Sequence, residues 1–314
     1  MPALDLESYV ELPLADLSLN LSTDKIARKV KKITTAPKGL EGEGFPVYRA
    51  FAQVDLADLD PFVHMDQMGE VNYAPYEPKG TPWHPHRGFE TVTYMIDGVF
   101  VHNDSNGGGG VISNGDTQWM TAGSGILHIE RPPESLVIKG GLFHGIQLWV
   151  NLESSKKMVQ SKYQDLRADK VGLASNKDKD ALFRIIAGDL GEIKGPGTTY
   201  SPISMVHATL LPGAHAKLAW KKEYNLLVYA LSGSGLLGSG KDLLSAHQLA
   251  VWDSGDYFEI FNSELNTNFD VLILGGLPIK EPVVAYGPFV MNNKAQIQQA
   301  FQDYRKGLLG TIPD

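Results

Sequence analysis

Short runs rich in Val, Ile, Leu, Tyr, Phe and Trp alternate with glycine- and proline-containing breaks along most of the chain, as at 90–96, 115–121, 146–152, 205–211 and 226–231. Each run is too short for an ordinary helix and is bounded by turn-forming residues, so the spacing predicts strands; their number predicts an all-β fold of barrel or sandwich type. One stretch has another period. Ile297, Ala300, Phe301 and Tyr304 recur at i, i+3, i+4 and i+7, which predicts a short C-terminal α-helix, with Asn293 and Gln296 as its N-terminal capping pattern and Gly307 as its stop. Between 153 and 179 the pattern lapses into polar, lysine-rich sequence. That predicts a connection, dividing the chain into an N-terminal domain 1–152, a linker 153–180 and a C-terminal domain 181–314.

The two halves repeat one another. FETVTYMIDG (89–98) leads on to Gly123 within WMTAGSG, and YNLLVYALSG (224–233) leads on to Gly255 within VWDSGD. Alignment on Gly98 and Gly233 sets Ala219, Lys221 and Asn225 against His84, His86 and Glu90; alignment on Gly123 and Gly255 sets Ile260 and Asn262 against His128 and Glu130. The second half is therefore expected to keep the scaffold and to lack any metal site.

Composition narrows the chemistry. The formal net charge of −8 opposes a broad grip on a phosphate backbone, so direct nucleic-acid binding is not expected. With no cysteine, thiolate metal sites and disulfides are excluded, and His, Asp and Glu are left as ligands. Asp5, Glu7 and Glu11 stand where a signal peptide would be basic and then apolar, and no run approaches the ~20 apolar residues of a membrane helix. A soluble, cytoplasmic protein with no membrane partner is expected. Lys25, Arg28, Lys29, Lys31 and Lys32 read as a lysine-guarded strand edge or, alternatively, a surface for an acidic partner. The glycine run 107–110 lacks the strand, helix and lysine of a phosphate-binding loop and reads as a flexible β connection.

His84-Pro85-His86 directly precedes a predicted strand, and His128-Ile129-Glu130 follows about forty residues later. In extended chain, residues i and i+2 share a face, so two such pairs on facing strands can enclose one ion. Three imidazoles and a carboxylate suit Fe(II), Mn, Ni, Cu or Zn and offer little to Ca or Mg. Glu90 competes for the carboxylate role, because its strand parity matches that of His84 and His86. His144 and Gln147 either line the cavity or pack, whereas His64, His102, His207, His215 and His247 lack a pairing that singles them out. Trp83, Phe89, Met95 and Trp119 are candidates to wall an aromatic pocket.

HPHRGFETVTYMIDG (84–98), GDTQWMTAGSGILHIE (115–130), GIQLWVNL (145–152) and YGPFVMNN (286–293) resemble the pirin family, and the likeness spans both halves. The resemblance implies a bicupin, two cupin-type β-barrel domains, with iron held in the first by His84, His86, His128 and Glu130. General cupins place a ligating Glu a few residues after His-x-His, which keeps Glu90 in contention, as ligand or as a partner of the ligands. It further implies quercetin 2,3-dioxygenase activity on a flavonol and dioxygen, with Glu130 as catalytic base and Glu90 as runner-up. The alternative it leaves open is a non-enzymatic, iron- and redox-dependent regulatory protein, acting through a protein partner as a transcription co-regulator or a modulator of a metabolic enzyme.

Overall fold

A computed structural model describes residues 14–17 and 24–312; Asp5, Glu7 and Glu11 lie outside the described residues. The chain forms four β layers. Two large sheets lie back to back at the centre, and each carries a four-stranded sheet on its outer side, which closes it into a barrel. The first large sheet runs in the order 162–166, 117–121, 89–97, 141–151, 62–73, 45–49, 38–41, and its small sheet in the order 84–86, 126–131, 99–104, 109–113. The second has the order 15–16, 172–175, 181–187, 203–210, 269–276, 227–232, 248–252, 30–35, with 215–219, 257–261, 234–237 and 242–245 outside it.

Layering explains the sequence patterns. Phe89–Asp97 is buried at all nine positions because one face lines a barrel and the other meets the opposite large sheet; Val99–Asp104 alternates because one face is more open to solvent. Val92, Tyr94, Ile96, Trp119, Ile146 and Leu148 of the first sheet pack against Met205, Leu227, Tyr229, Leu249, Leu272 and Leu274 of the second. At roughly 1.5–3 kcal/mol for each large apolar side chain removed from water, this central core is a principal source of cohesion between the halves.

The segments are not sorted by sequence half. The stretch expected as a connection contains Lys162–Leu166, an edge strand of the first large sheet, and Gly172–Ser175, a strand of the second. Val30–Thr35 edges the second large sheet against Gln248–Trp252. Its lysines behave as expected of an edge, with Lys31 on Asp58 at 2.6 Å, but Arg28 is buried and gives its guanidinium to the carbonyls of Gly255, Asp253, Lys221 and Tyr224. It is a structural tie between loops.

The C-terminal helix Lys294–Arg305 forms as expected, with Asn293 Oδ1 accepting from the Gln296 amide at 3.0 Å. Ile297, Ala300 and Phe301 dock on the first barrel, against Leu127, Phe289 and Met291, whereas Tyr304 is 39% exposed and stands off the contact. The hairpin Val284–Tyr286 and Phe289–Met291 precedes the helix and lies on the same barrel. Among the described residues no helix is long and apolar enough to cross a membrane.

Candidate metal centre

The strand His84–His86 pairs antiparallel with Ile126–Arg131, setting His84 opposite His128 and His86 opposite Ile126. Alternation turns His84, His86, His128 and Glu130 into the barrel, while Leu127 points outward under the C-terminal helix. The three rings converge, with centroids 4.3–4.8 Å apart and ligand nitrogens within 4.8 Å of one another.

The second nitrogen of two rings fixes their tautomers. His84 Nδ1 lies 2.8 Å from the Pro82 carbonyl and His86 Nδ1 3.2 Å from that of Pro288. A carbonyl only accepts, so each Nδ1 carries the proton and each Nε2 keeps a lone pair for the shared centre. Both nitrogens of His128 are buried without a protein partner. Burial lowers the pKa of His84 and carries those of His86 and His128 well below the ordinary histidine value, which keeps the imidazoles neutral. Orphaned, neutral, convergent nitrogens fit a divalent transition metal.

The carboxylates separate. Glu130 faces the same cavity but stands outside the three-histidine cluster, where its Oε1 accepts from Thr93 Oγ1 at 2.8 Å; burial raises its pKa to about 7. A bound cation would reverse that shift by favouring the ionised form. Glu90 points the other way, toward the central core, and accepts from Thr121 Oγ1 at 2.7 Å. The expected parity fails because Gly88, at φ +88°, carries the chain from the small sheet into the large one, and alternation begun at His84 does not continue through it. A Cβ at Gly88 would collide with the Val290 carbonyl.

The centre opens on a cavity of about 600 Å³. Its floor is the first large sheet, and cross-strand register arranges its side chains in rows. Thr93 pairs with Gln147, Gln147 with Asp66 and Asp66 with Arg49; beside this row, Thr91 pairs with Trp149 and Trp149 with His64. Thr93 Oγ1 lies 2.8 Å from Gln147 Oε1, and Gln147 in turn bonds Thr91. Trp149 packs against Phe89 at 4.4 Å between ring centroids, tilted by 37°, and meets His86 edge to face at 5.4 Å. Tyr286, Gly287 and Pro288 of the C-terminal hairpin form part of the wall.

Gln147 thus lines the cavity, whereas His144 faces the central core, with Nε2 2.7 Å from Gln67 Nε2. Of the four suggested wall residues, Phe89 abuts His86, Met95 packs with Met68 and Phe143, Trp83 supports the C-terminal segment and Trp119 lies in the central core. Trp149, Asp66 and His64 are lining residues that local spacing did not single out: His64 and Asp66 share a face of one strand, but they meet Trp149 and the histidines only through strand pairing. Lys157 was also missed. Almost fully buried, its ammonium donates to the carbonyls of Gly88 and Val290 and to Asn151 Oδ1 at 2.7–3.0 Å, tying the histidine turn to the hairpin that supplies the Pro288 carbonyl. The glycine run divides: Gly107 and Gly108 lie in the connection after Val99–Asp104, with open space beside Gly107, whereas Gly109 and Gly110 belong to Gly109–Ser113, which pairs with Val99–Asp104, and a Cβ at Gly110 would lie 2.9 Å from His102 Nε2.

In the second barrel, register corrects the alignment. Ile260, the counterpart of His128, pairs with Ala216, and Phe258 pairs with Leu218, so Ala216 and Leu218 occupy the positions of His84 and His86. All four pack in an apolar core. Lys221 lies outside the strand and binds Asp189 at 2.7 Å; Asn262, opposite Glu130 in the repeat, donates to the carbonyls of Leu210 and Thr267. Apolar filling at these positions distinguishes the second barrel.

Comparison with known proteins agrees with this architecture. Residues 44–150 match the family model Pirin and residues 205–310 the model Pirin C-terminal cupin domain. The chain is 40% identical to a pirin-like protein of Solanum lycopersicum, over 90% of this chain and 92% of that one. It is 36% identical to pirin of Homo sapiens, over 90% and 94% respectively. The crystal structure of quercetin 2,3-dioxygenase from Acinetobacter baumannii aligns with a TM-score of 0.86 and 37% identity, over 92% of this chain and all of that one.

Proposed function

This chain belongs to the pirin family, and from that premise we propose that it is an iron-dependent dioxygenase that opens the central ring of a flavonol. The observation that carries the reading is the convergence of three neutral imidazoles, two with their tautomers fixed, on a cavity walled in part by Trp149, which Phe89 backs. The solved relative named quercetin 2,3-dioxygenase supports the substrate class.

His84, His86 and His128 would hold the metal, with Glu130 as the fourth donor. When bound, that ion supplies an open coordination position and one-electron chemistry with dioxygen. The chain's own part is positioning and proton transfer. Trp149, backed by Phe89, offers a planar ring system an apolar face along the floor and excludes water from it. Glu130 takes the 3-hydroxyl proton, steadied by the Thr93 hydroxyl. Of the two candidate carboxylates only Glu130 opens on the cavity. Oxygen uptake by the iron-loaded protein tests the proposal. Uptake that needs a flavonol and is lost in His86→Ala is the expected result; no uptake with any flavonol would overturn it.

A further inference from the structure

The cavity floor extends well past the histidines, and its far end is polar. Asp66 lies two strands from Thr93 along one row of paired residues, roughly 10 Å at ordinary strand spacing. Its side chain is almost wholly buried, and Oδ1 has no hydrogen-bond partner. The other oxygen is held: His64 Nε2 stands 3.2 Å from Oδ2, and Arg49 Nη1 3.8 Å from it. Trp149, between His64 and the histidine cluster, covers the intervening floor. A buried acceptor with no donor is costly unless a ligand satisfies it.

We propose that Asp66, held by His64 and Arg49, is a specificity residue that accepts a hydrogen bond from a phenolic hydroxyl at the end of the substrate remote from the metal. The inference rests on the flavonol reading of the same cavity. It narrows the substrate class to planar aromatics that carry metal-binding oxygens at one end and a hydroxyl donor at the other. His64 and Arg49 act as positioning residues, since they hold Oδ2 and leave Oδ1 to the ligand. A ligand lacking that hydroxyl leaves Oδ1 unsatisfied, so discrimination comes from the buried partner left unpaired.

The test is equilibrium binding of two flavonols to the metal-loaded protein. Quercetin has phenolic hydroxyls on its outer rings, and 3-hydroxyflavone has none, but both present the same 3-hydroxyl and 4-carbonyl. Wild type should bind quercetin roughly ten- to a hundredfold tighter, as for a hydrogen bond to a charged group. In Asp66→Ala the preference should collapse through loss of quercetin affinity, with 3-hydroxyflavone bound within about twofold of wild type. Asp66→Asn, which keeps the shape, should give an intermediate preference and guards against a folding defect in the alanine variant. An unchanged preference in both variants, or none in wild type, overturns the role of Asp66 while the flavonol reading survives. Failure of wild type to bind either compound overturns both.

Discussion

Replacing Lys157 with Met tests how the histidine arm is held. The ammonium donates to Gly88 O at 2.8 Å, Asn151 Oδ1 at 2.7 Å and Val290 O at 3.0 Å, all within buried surroundings. Methionine matches the length of the stem and removes every donor, leaving three buried acceptors unpaired at roughly 1–3 kcal/mol each. Against this stands the desolvation of the cation. Burial lowers the lysine pKa to about 8, which corresponds to roughly 3 kcal/mol against the charged form. The difference leaves a net destabilisation of about 3 kcal/mol at the middle of a range of about 0–6, comparable to the roughly 3–5 kcal/mol lost when one partner of a buried charged pair is removed. Urea unfolding should show a lower midpoint with an unchanged slope. Because Val290 and Gly88 flank the Pro288 to His86 contact, metal affinity should also fall, by about tenfold, as for loss of a group that orients a ligand. A variant equal to wild type in both stability and metal affinity would refute the idea that this lysine ties the hairpin to the site.

Other perturbations separate the two carboxylates and probe the turn. Burial raises the Glu90 pKa to about 7, so its contribution to stability is full below the unfolded value and is lost as pH rises through about 7. Glu90→Gln should therefore gain on wild type by up to about 3 kcal/mol between pH 5 and 8 in denaturant titrations; a parallel pH dependence would show that Glu90 does not carry this term. Glu90→Ala should leave metal content unchanged, whereas Glu130→Ala should lower metal affinity and oxygen uptake, both read by metal analysis and an oxygen electrode. Gly88→Ala should weaken metal binding more than it changes far-UV circular dichroism, because its Cβ would displace the Val290 backbone beside the site. Normal metal titration of that variant would contradict the placement of the turn.

The chemistry-bearing pairs were legible because each is local. His84 with His86, and His128 with Glu130, obey the two-residue period of a strand, and strand pairing then brings the three histidines together. Glu90 was misread because the same period was carried through Gly88, where the chain changes sheets. The repeat was legible as a scaffold, but spacing from Gly233 selected Ala219 and Lys221 where the ladder selects Ala216 and Leu218, since the segment before the second hairpin strand is longer. Gln147 and Trp149 share a face of one strand, but Asp66 joins them only when a separate strand aligns, a register that no single stretch of sequence contains. The same holds for Lys157, whose partners lie at 88, 151 and 290.

The most direct measurement of the central claim is an anomalous-scattering map of the iron-loaded protein, recorded on either side of the metal absorption edge. One peak per chain is expected in the first barrel, within coordination distance, about 2 Å as for imidazole on other first-row metals, of His84 Nε2, His86 Nε2 and a ring nitrogen of His128. A peak bound elsewhere, or ligation through His84 or His86 Nδ1 in place of Nε2, would contradict it.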